Sequence, residues 1–306
     1  CPAGHALAAD LVADHPDRVH VVAVHGGGLA IPGAGQPDLR SSCGTPLWQQ
    51  FAVTYQPSAV INRSPANGQL VTGLSGWAGA VNAVLASPAP VNIGMASSFD
   101  AGTRLLTVTV ELLYTADGQG AEDRLTVVLT EDPITGYQQD YQNGAHPNYD
   151  HRHVLRDCIT ALWGDVVPVT TAGTFVQRTY TFTVPADRDI AACAVVGFVS
   201  EAQGEVHQVR SVAADGGSTT GVADRGPASA APPYPVPADA ELTIPLSPDE
   251  RQGVVRVGDR TGRPLQVLPC GAAPVQVDLR SLRPGLYTYT VEGLHGPRTG
   301  RFVVAR

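Results

Sequence analysis

Strict alternation of apolar and polar residues is the strongest constraint on this chain. Leu106, Val108, Val110 and Leu112 alternate with Thr107, Thr109 and Glu111, and Tyr180, Phe182 and Val184 alternate with Thr179, Thr181 and Thr183. A period of two puts every apolar side chain on one face of a strand, so each such segment needs a second apolar layer to cover it. Ala194 to Val199 is almost continuously apolar, as a central strand should be, and Glu205 to Arg210 reads as its polar-edged neighbour. Asp117-Gly118 is a turn pair that predicts a hairpin leading into a partner strand at Arg124 to Thr130. Residues 91–212 are therefore expected to form a β-sandwich. Within them, His146 to Trp163 has no assignable pattern.

Residues 213–237 read as a linker, opening on Gly216-Gly217-Ser218 and closing on Pro232-Pro233-Tyr234-Pro235-Val236-Pro237, flexible first and then stiff. Short strands follow at Glu241 to Ile244, Gly253 to Val257, Leu265 to Leu268, Val275 to Leu279, Leu286 to Val291 and Arg301 to Val304. Turns such as Asp259-Arg260-Thr261-Gly262 and Arg283-Pro284-Gly285 separate them. Residues 238–306 are thus a small, Ig-like all-β sandwich.

Residues 1–90 differ in kind. Leu7, Leu11 and Val12 give the opening segment one apolar stripe, which predicts a helix ending near His15-Pro16. Val19 to Val24 predicts a buried strand, closed by Gly26-Gly27-Gly28. Thr45-Pro46 predicts a helix start with Thr45 as cap. Pro57 immediately precedes a short strand, and Trp77, Val81, Val84 and Leu85 mark another amphipathic helix. The chain as a whole is expected to be multidomain and mostly β, with an α/β domain at 1–90.

The net charge is −8, and all 20 basic residues are arginine. Nothing in that balance suits a polyanion, so a nucleic-acid partner is not expected. No apolar run approaches the roughly 18 residues of a membrane span. The sequence opens without an initiator methionine or signal segment, as a processed or incomplete chain would. Five cysteines in 306 residues are too few for a disulfide scaffold. Cys193 precedes an apolar strand and suits burial as a small hydrophobe; pairing of Cys158 with Cys193, or of Cys1 with Cys43, also stays open.

Cys1-Pro2 at the start of a helix has the form of the second half of a C-x-x-C-P redox motif, a position where the helix dipole favours a thiolate. The first half, and the strand expected before it, are missing from the sequence. His25-Gly26-Gly27-Gly28 has the form of a hydrolase oxyanion loop, but no G-x-S-x-G elbow accompanies it, so the glycines read as a tight exit from the strand. His146, Asp150, His151, His153 and Asp157 are the densest set of metal-ligand types, with Asp150, His151 and His153 the candidates within it; an extended backbone would put His151 and His153 on one face, while a hydrogen-bonded loop explains them as well. The reading is of no metal and no cofactor.

Residues 1 to about 212 resemble the Omp-twenty-eight-related family of outer-membrane proteins. The resemblance is carried by Cys1-Pro2-Ala3-Gly4-His5, Val21 to Gly28, Pro57-Ser58-Ala59-Val60-Ile61-Asn62-Arg63, Leu125 to Asp132 and His151-Arg152-His153-Val154-Leu155-Arg156-Asp157. It implies a thioredoxin-like front, here without its first strand, and a β-sandwich behind. From about residue 234 the chain resembles a type IX secretion C-terminal sorting domain, carried by Tyr234 to Ala238, Val255 to Asp259, Asp278-Leu279, Gly285-Leu286-Tyr287 and Gly300 to Val304. Val236 stands where such domains usually have asparagine.

The resemblances imply export to the outer-membrane surface or exterior of a Gram-negative bacterium, with the secretion machinery as a partner, and no established reaction. A thioredoxin-like front would place Pro57 as a cis-proline beside Cys1, with Cys43 the candidate second thiol. The function expected is non-catalytic: a structural surface protein that assembles with itself, a filament or layer in which a neighbour's β-segment, one from the C-terminal domain included, replaces the missing strand. A surface thiol-disulfide oxidoreductase is the alternative, and a surface lipoprotein or adhesin a third.

Overall fold

The computed structural model describes residues 1–118, 122–168, 170–219, 233–234, 238–246, 250–251, 253–259, 263–271, 274–293 and 296–305. Most of the 213–237 linker, Pro235–Pro237 of the sorting motif and the middle of the Asp259–Gly262 turn lie outside the described residues. The chain divides into two compact units, Cys1–Val222 and Ala223–Arg306.

In the first unit the helices are α1 (Pro2–Asp14), α2 (Gly44–Gln50) and α3 (Leu74–Leu85), with β1 (Ser58–Val60) and β2 (Val71–Gly73) between the last two. The strands that follow are β3 (Val91–Asp100), β4 (Leu105–Tyr114), β5 (Asp123–Glu131), β6 (Ile134–Asp140), β7 (Gly144–His151), β8 (Val154–Cys158), β9 (Asp165–Val167), β10 (Phe175–Thr183), β11 (Cys193–Glu201), β12 (Val206–Ala213) and β13 (Gly216–Ser218). The chain is mostly β, as the alternation predicts.

Two antiparallel sheets make the sandwich, ordered β10-β4-β3-β13 and β12-β11-β5-β8, with β9 beside β5. Leu106, Val108, Val110 and Leu112 all point inward from β4 and meet Leu125, Val127 and Leu129 of β5 and Val195 and Val199 of β11. The polar set of β4 faces out, where Thr109 stands opposite Thr179. β5 is buried on both faces, because Val128 and Val196 on the outer side of its sheet are covered by Val22, Val24 and Leu47. The same double-sided burial of β11, with Val195 and Val199 on one face and Val196 on the other, explains why Ala194 to Val199 reads as almost continuously apolar.

Four expectations need correcting. β4 and β5 are not a hairpin: β4 pairs with β3 and β10, β5 with β11 and β8, so the chain changes sheets after Asp117-Gly118. The unassigned 146–163 stretch carries β7 and β8, whose short runs are interrupted at His153, where φ is +54°. Gly216–Ser218, read as linker, pairs with Ala96–Ser98 as β13. α2 starts two residues early, with Cys43 at the cap position in place of Thr45 and the Ser41 hydroxyl accepting from the Gly44 N–H at 3.0 Å.

The second unit contains β14 (Glu241–Ile244), β15 (Val254–Gly258), β16 (Pro264–Pro269), β17 (Val275–Asp278), β18 (Gly285–Gly293) and β19 (Gly296–Val304). Its sheets are β14-β17 and β16-β15-β18-β19. Leu242, Ile244, Val255, Val257, Val277, Val291 and Phe302 close between them into one core.

Candidate functional site: an open lane beside the first helix

The layer built by residues 1–90 covers the outer face of the β12-β11-β5-β8 sheet. Its helices α1 and α3 meet at Leu11, Trp77 and Val81, and Val19, Ala59 and Ile61 pack against them. Val22 and Val24 point the other way, onto Val128, Leu155 and Val196. The extended segments Val19–Val24 and β1 are therefore middle-layer backbone, with helices on one side and the sandwich sheet on the other.

That middle layer is not continuous. Among the described residues β1 pairs only with β2, and the backbone of Val19–Val24, expected to be a buried strand, pairs only through a parallel bridge between Ala23 and Val154. A strand needs a partner along its length; here Val21, Val22 and Val24 make no backbone hydrogen bond among the described residues. A cavity of about 1250 Å³ touches both segments, together with Gly4, Ala8 and Leu11 of α1, Trp77 and Val81 of α3, and Val128, Val196 and Phe198 of the sandwich. It exceeds the roughly 300–1,000 Å³ of ordinary small-molecule pockets. We call it the lane.

Cys1 and Pro57 both line the lane. The Gln56-Pro57 bond is cis, and the ring lies against the first turn of α1, where a Cβ on Gly4 would stand 2.8 Å from the Pro57 Cβ. Gly4 is thus required by close approach rather than by the helix. Gly26 is required in the same way, since an added Cβ would meet the Trp48 ring at 2.6 Å, while Gly27 supplies the tight exit at φ +71°. At another wall Arg63 lies between the Trp163 and Phe198 rings, 5.1 and 5.2 Å from their centres, and donates to the Ser200 hydroxyl at 3.3 Å. Burial pushes its guanidinium down to about 10.

A profile of the family described as "Outer membrane protein Omp28" matches residues 45–217, more than half of the chain. The chain belongs to this family. Membership of the Omp28 family makes it a protein of the outer membrane or cell surface of a Gram-negative bacterium. Among solved structures it is similar to HBP35 of Porphyromonas gingivalis, at 17% identity over 85% of this chain and 79% of that one, with a TM-score of 0.46. It is also similar to a domain of the outer membrane lipoprotein Omp28 from the same organism, at 22% identity over 40% of this chain and 87% of that one, with a TM-score of 0.28. A search of curated proteins finds no match. No helix among the described residues is long and apolar enough to cross a membrane.

In this Omp28-family chain the cysteine pairings differ from those considered. Cys43 is bonded to Cys158, with Cα atoms 6.2 Å apart. Cys158 and Cys193 cannot meet, because Cys193 points into the sandwich core while Cys158 lies on the opposite face of the same sheet. Cys193 is free and buried, and burial pushes its thiol up to about 12. Cys43, the candidate second thiol for Cys1, is occupied by its bond to Cys158; Cys1 is free and exposed.

The Asp150, His151, His153 set also separates. The left-handed backbone at His153 breaks the extended geometry that would align the two histidines. Asp150 is exposed and accepts from the Thr135 hydroxyl at 2.7 Å, and His153 Nδ1 sits 3.0 Å from Asp132. His151 is buried, and its ring meets His5 of α1 and His25 instead, at ring-centre distances of 6.1 and 5.5 Å. Tyr149 completes the cluster, its hydroxyl 2.9 Å from His5 Nδ1. His5 and His25 were plain in the sequence, but nothing local ties either one to a residue more than a hundred positions away.

Proposed function

We propose that this chain is a non-catalytic surface protein whose lane accepts an extended segment from a neighbouring copy. The carrying observation is the interrupted middle layer: two extended segments, Val19–Val24 and β1, share one cavity and do not pair with each other. Strand addition supplies the missing backbone partners, and alternate side chains of the guest enter the two apolar walls. The guest must be apolar on both faces, because helices lie on one side and the sandwich sheet on the other. Repeated head to tail, such a contact extends into a filament or layer. The second unit acts as the type IX sorting domain that engages the outer-membrane secretion machinery, a reading supported by its Val255 to Asp259 and Gly285 to Tyr287 motifs and its small sandwich.

The test is the size of native protein across a concentration series, by light scattering, beside an Ala59→Arg variant that puts a charge at the lane wall. Expected is growth for the native chain and its loss in the variant, with the melting behaviour of the sandwich unchanged. Monomers at high concentration would overturn the reading, as would an intact mass showing that residues joined ahead of Cys1 already fill the lane. A surface thiol-disulfide oxidoreductase is the second reading, favoured by cis-Pro57 packing against the first turn of α1, the helix that Cys1 caps. Turnover of a model disulfide that disappears in Cys1→Ser would establish it in place of the first.

A further inference from the structure

Three histidines from distant parts of the chain converge at the lane wall. His5 lies in the first turn of α1, His25 follows Val24, and His151 ends β7; all three line the same cavity. His151 is only 2% exposed, and among the described residues its Nδ1 has no hydrogen-bond partner; the Nδ1 of His25 is likewise buried without one among them. A buried polar atom left unpartnered is costly, so two in contacting rings point to a missing ligand.

The other nitrogen of His151 is accounted for. Its Nε2 stands 3.3 Å from the Tyr137 carbonyl, an acceptor that fixes the proton on Nε2 and leaves a lone pair on Nδ1. An imidazole donating its far N–H to a backbone carbonyl is the usual support of a metal ligand. His5 is held similarly, Nδ1 against the Tyr149 hydroxyl at 2.9 Å. Burial, helped by the neighbouring imidazoles, brings His5 and His25 down to about 4 and lowers His151.

We propose that His5, His25 and His151 bind one divalent transition-metal ion of the zinc type. Three imidazoles on a tetrahedral zinc, with Zn–N of about 2.0–2.1 Å, place their ring centres about 5 Å apart. The observed 5.5 and 6.1 Å are wider, and no set of three such side chains among the described residues stands in a metal-holding arrangement as it is. His151 is in ring contact with each of the other two, so closing the trio takes side-chain torsions that bring His5 and His25 together around it. The fourth position opens on the lane, which leaves it to water or an external donor. Nitrogen-only ligation suits zinc, copper or nickel better than calcium or magnesium.

The proposal does not depend on what occupies the lane, and it is tested by calorimetric titration of zinc into the chelator-treated full chain at pH 7.5. One zinc per chain is expected, with binding weakened on the order of 100-fold or more in His5→Gln and in His25→Gln. Both positions lie outside the sandwich core, and thermal melts of the metal-free variants check that they fold. Cobalt substitution supplies a second readout: tetrahedral d–d absorption without a thiolate charge-transfer band, unchanged in Cys1→Ser. Absence of stoichiometric zinc, affinity unaltered in the two histidine variants, or a thiolate band lost in Cys1→Ser would each overturn the assignment.

Discussion

The sandwich and the layer that covers it are built from the same kinds of residue and reach opposite states of completion. In the sandwich each of β3, β4, β5 and β11 has neighbours on both edges, and Leu106, Val108, Val110 and Leu112 are fully buried. In the covering layer, β1 and β2 are three-residue strands whose positions are all half-buried, and Val19–Val24 has one bridge. Apolar side chains alone therefore do not make a closed layer; backbone partners must be present as well. An element in which both edges are satisfied resists change, and one with an open edge is where binding is expected.

The largest expected effect tests what fastens the two regions together. The Cys43–Cys158 bond joins a loop of the covering layer to β8 across 115 residues, a span for which chain entropy predicts a contribution of about 4–5 kcal/mol. In the Cys43→Ala/Cys158→Ala variant, denaturant unfolding should shift by up to that amount. Hydrogen exchange should show α1 and β1 losing protection before β4 and β5. Simultaneous loss of protection in both regions would mean that the contrast between them is not one of stability.

Next in size is a direct comparison of side chains. Leu112, at 0% exposure, should cost about 2–5 kcal/mol when replaced by alanine, the range for a buried leucine. Val21→Ala, at the half-buried lane wall, should cost about 1 kcal/mol, the loss of partly buried methyl groups. Urea midpoints at constant slope measure both. Equal costs would show that the lane is as tightly packed as the core.

The alternation at Leu106–Leu112 and Thr179–Val184 identified the sandwich strands because strand pairing repeats every two residues and needs no knowledge of the partner. The partner itself was not legible: Asp117-Gly118 has the composition of a hairpin turn but connects two sheets. The candidate site was visible in fragments. Pro57 does pack on the helix turn that Cys1 caps, whereas His151 joins His5 and His25 and not its sequence neighbours Asp150 and His153. Cys43 was named as a thiol for Cys1 and proved to bond Cys158, since neither spacing nor composition encodes which face of a sheet a cysteine occupies.

The smallest effect belongs to the sandwich edge. His207 Nε2 lies 3.4 Å from the buried Asp123, whose other oxygen accepts from the Tyr114 hydroxyl at 2.8 Å. The Asp123 carboxylate beside it, with Glu201 and Glu205 adding to the negative field, raises the imidazole above its ordinary 6.5. A raised folded value means a stabilisation fully present below pH 6.5 and lost as pH rises through the folded value. The unfolding free energy of the native chain minus that of His207→Gln should therefore fall as pH rises above 6.5. A flat difference would remove Asp123 as the cause. The lane histidines, shifted downward, act in the opposite sense and cancel from this difference.

By itself the sequence determined that the segments around Leu106–Leu112, Thr179–Thr183 and Ala194–Val199 are strands, that helices give way to strands after residue 90, and that the C-terminal residues form a second small sandwich, because periodicity and turn chemistry are local properties. Only the tertiary structure decided the sheet order, the Cys43–Cys158 bond, the open lane and the meeting of His5, His25 and His151. Each of those depends on which face of an element a side chain occupies and on which distant segments share a layer. Both are settled by the packing of the whole chain, not by any one stretch of it.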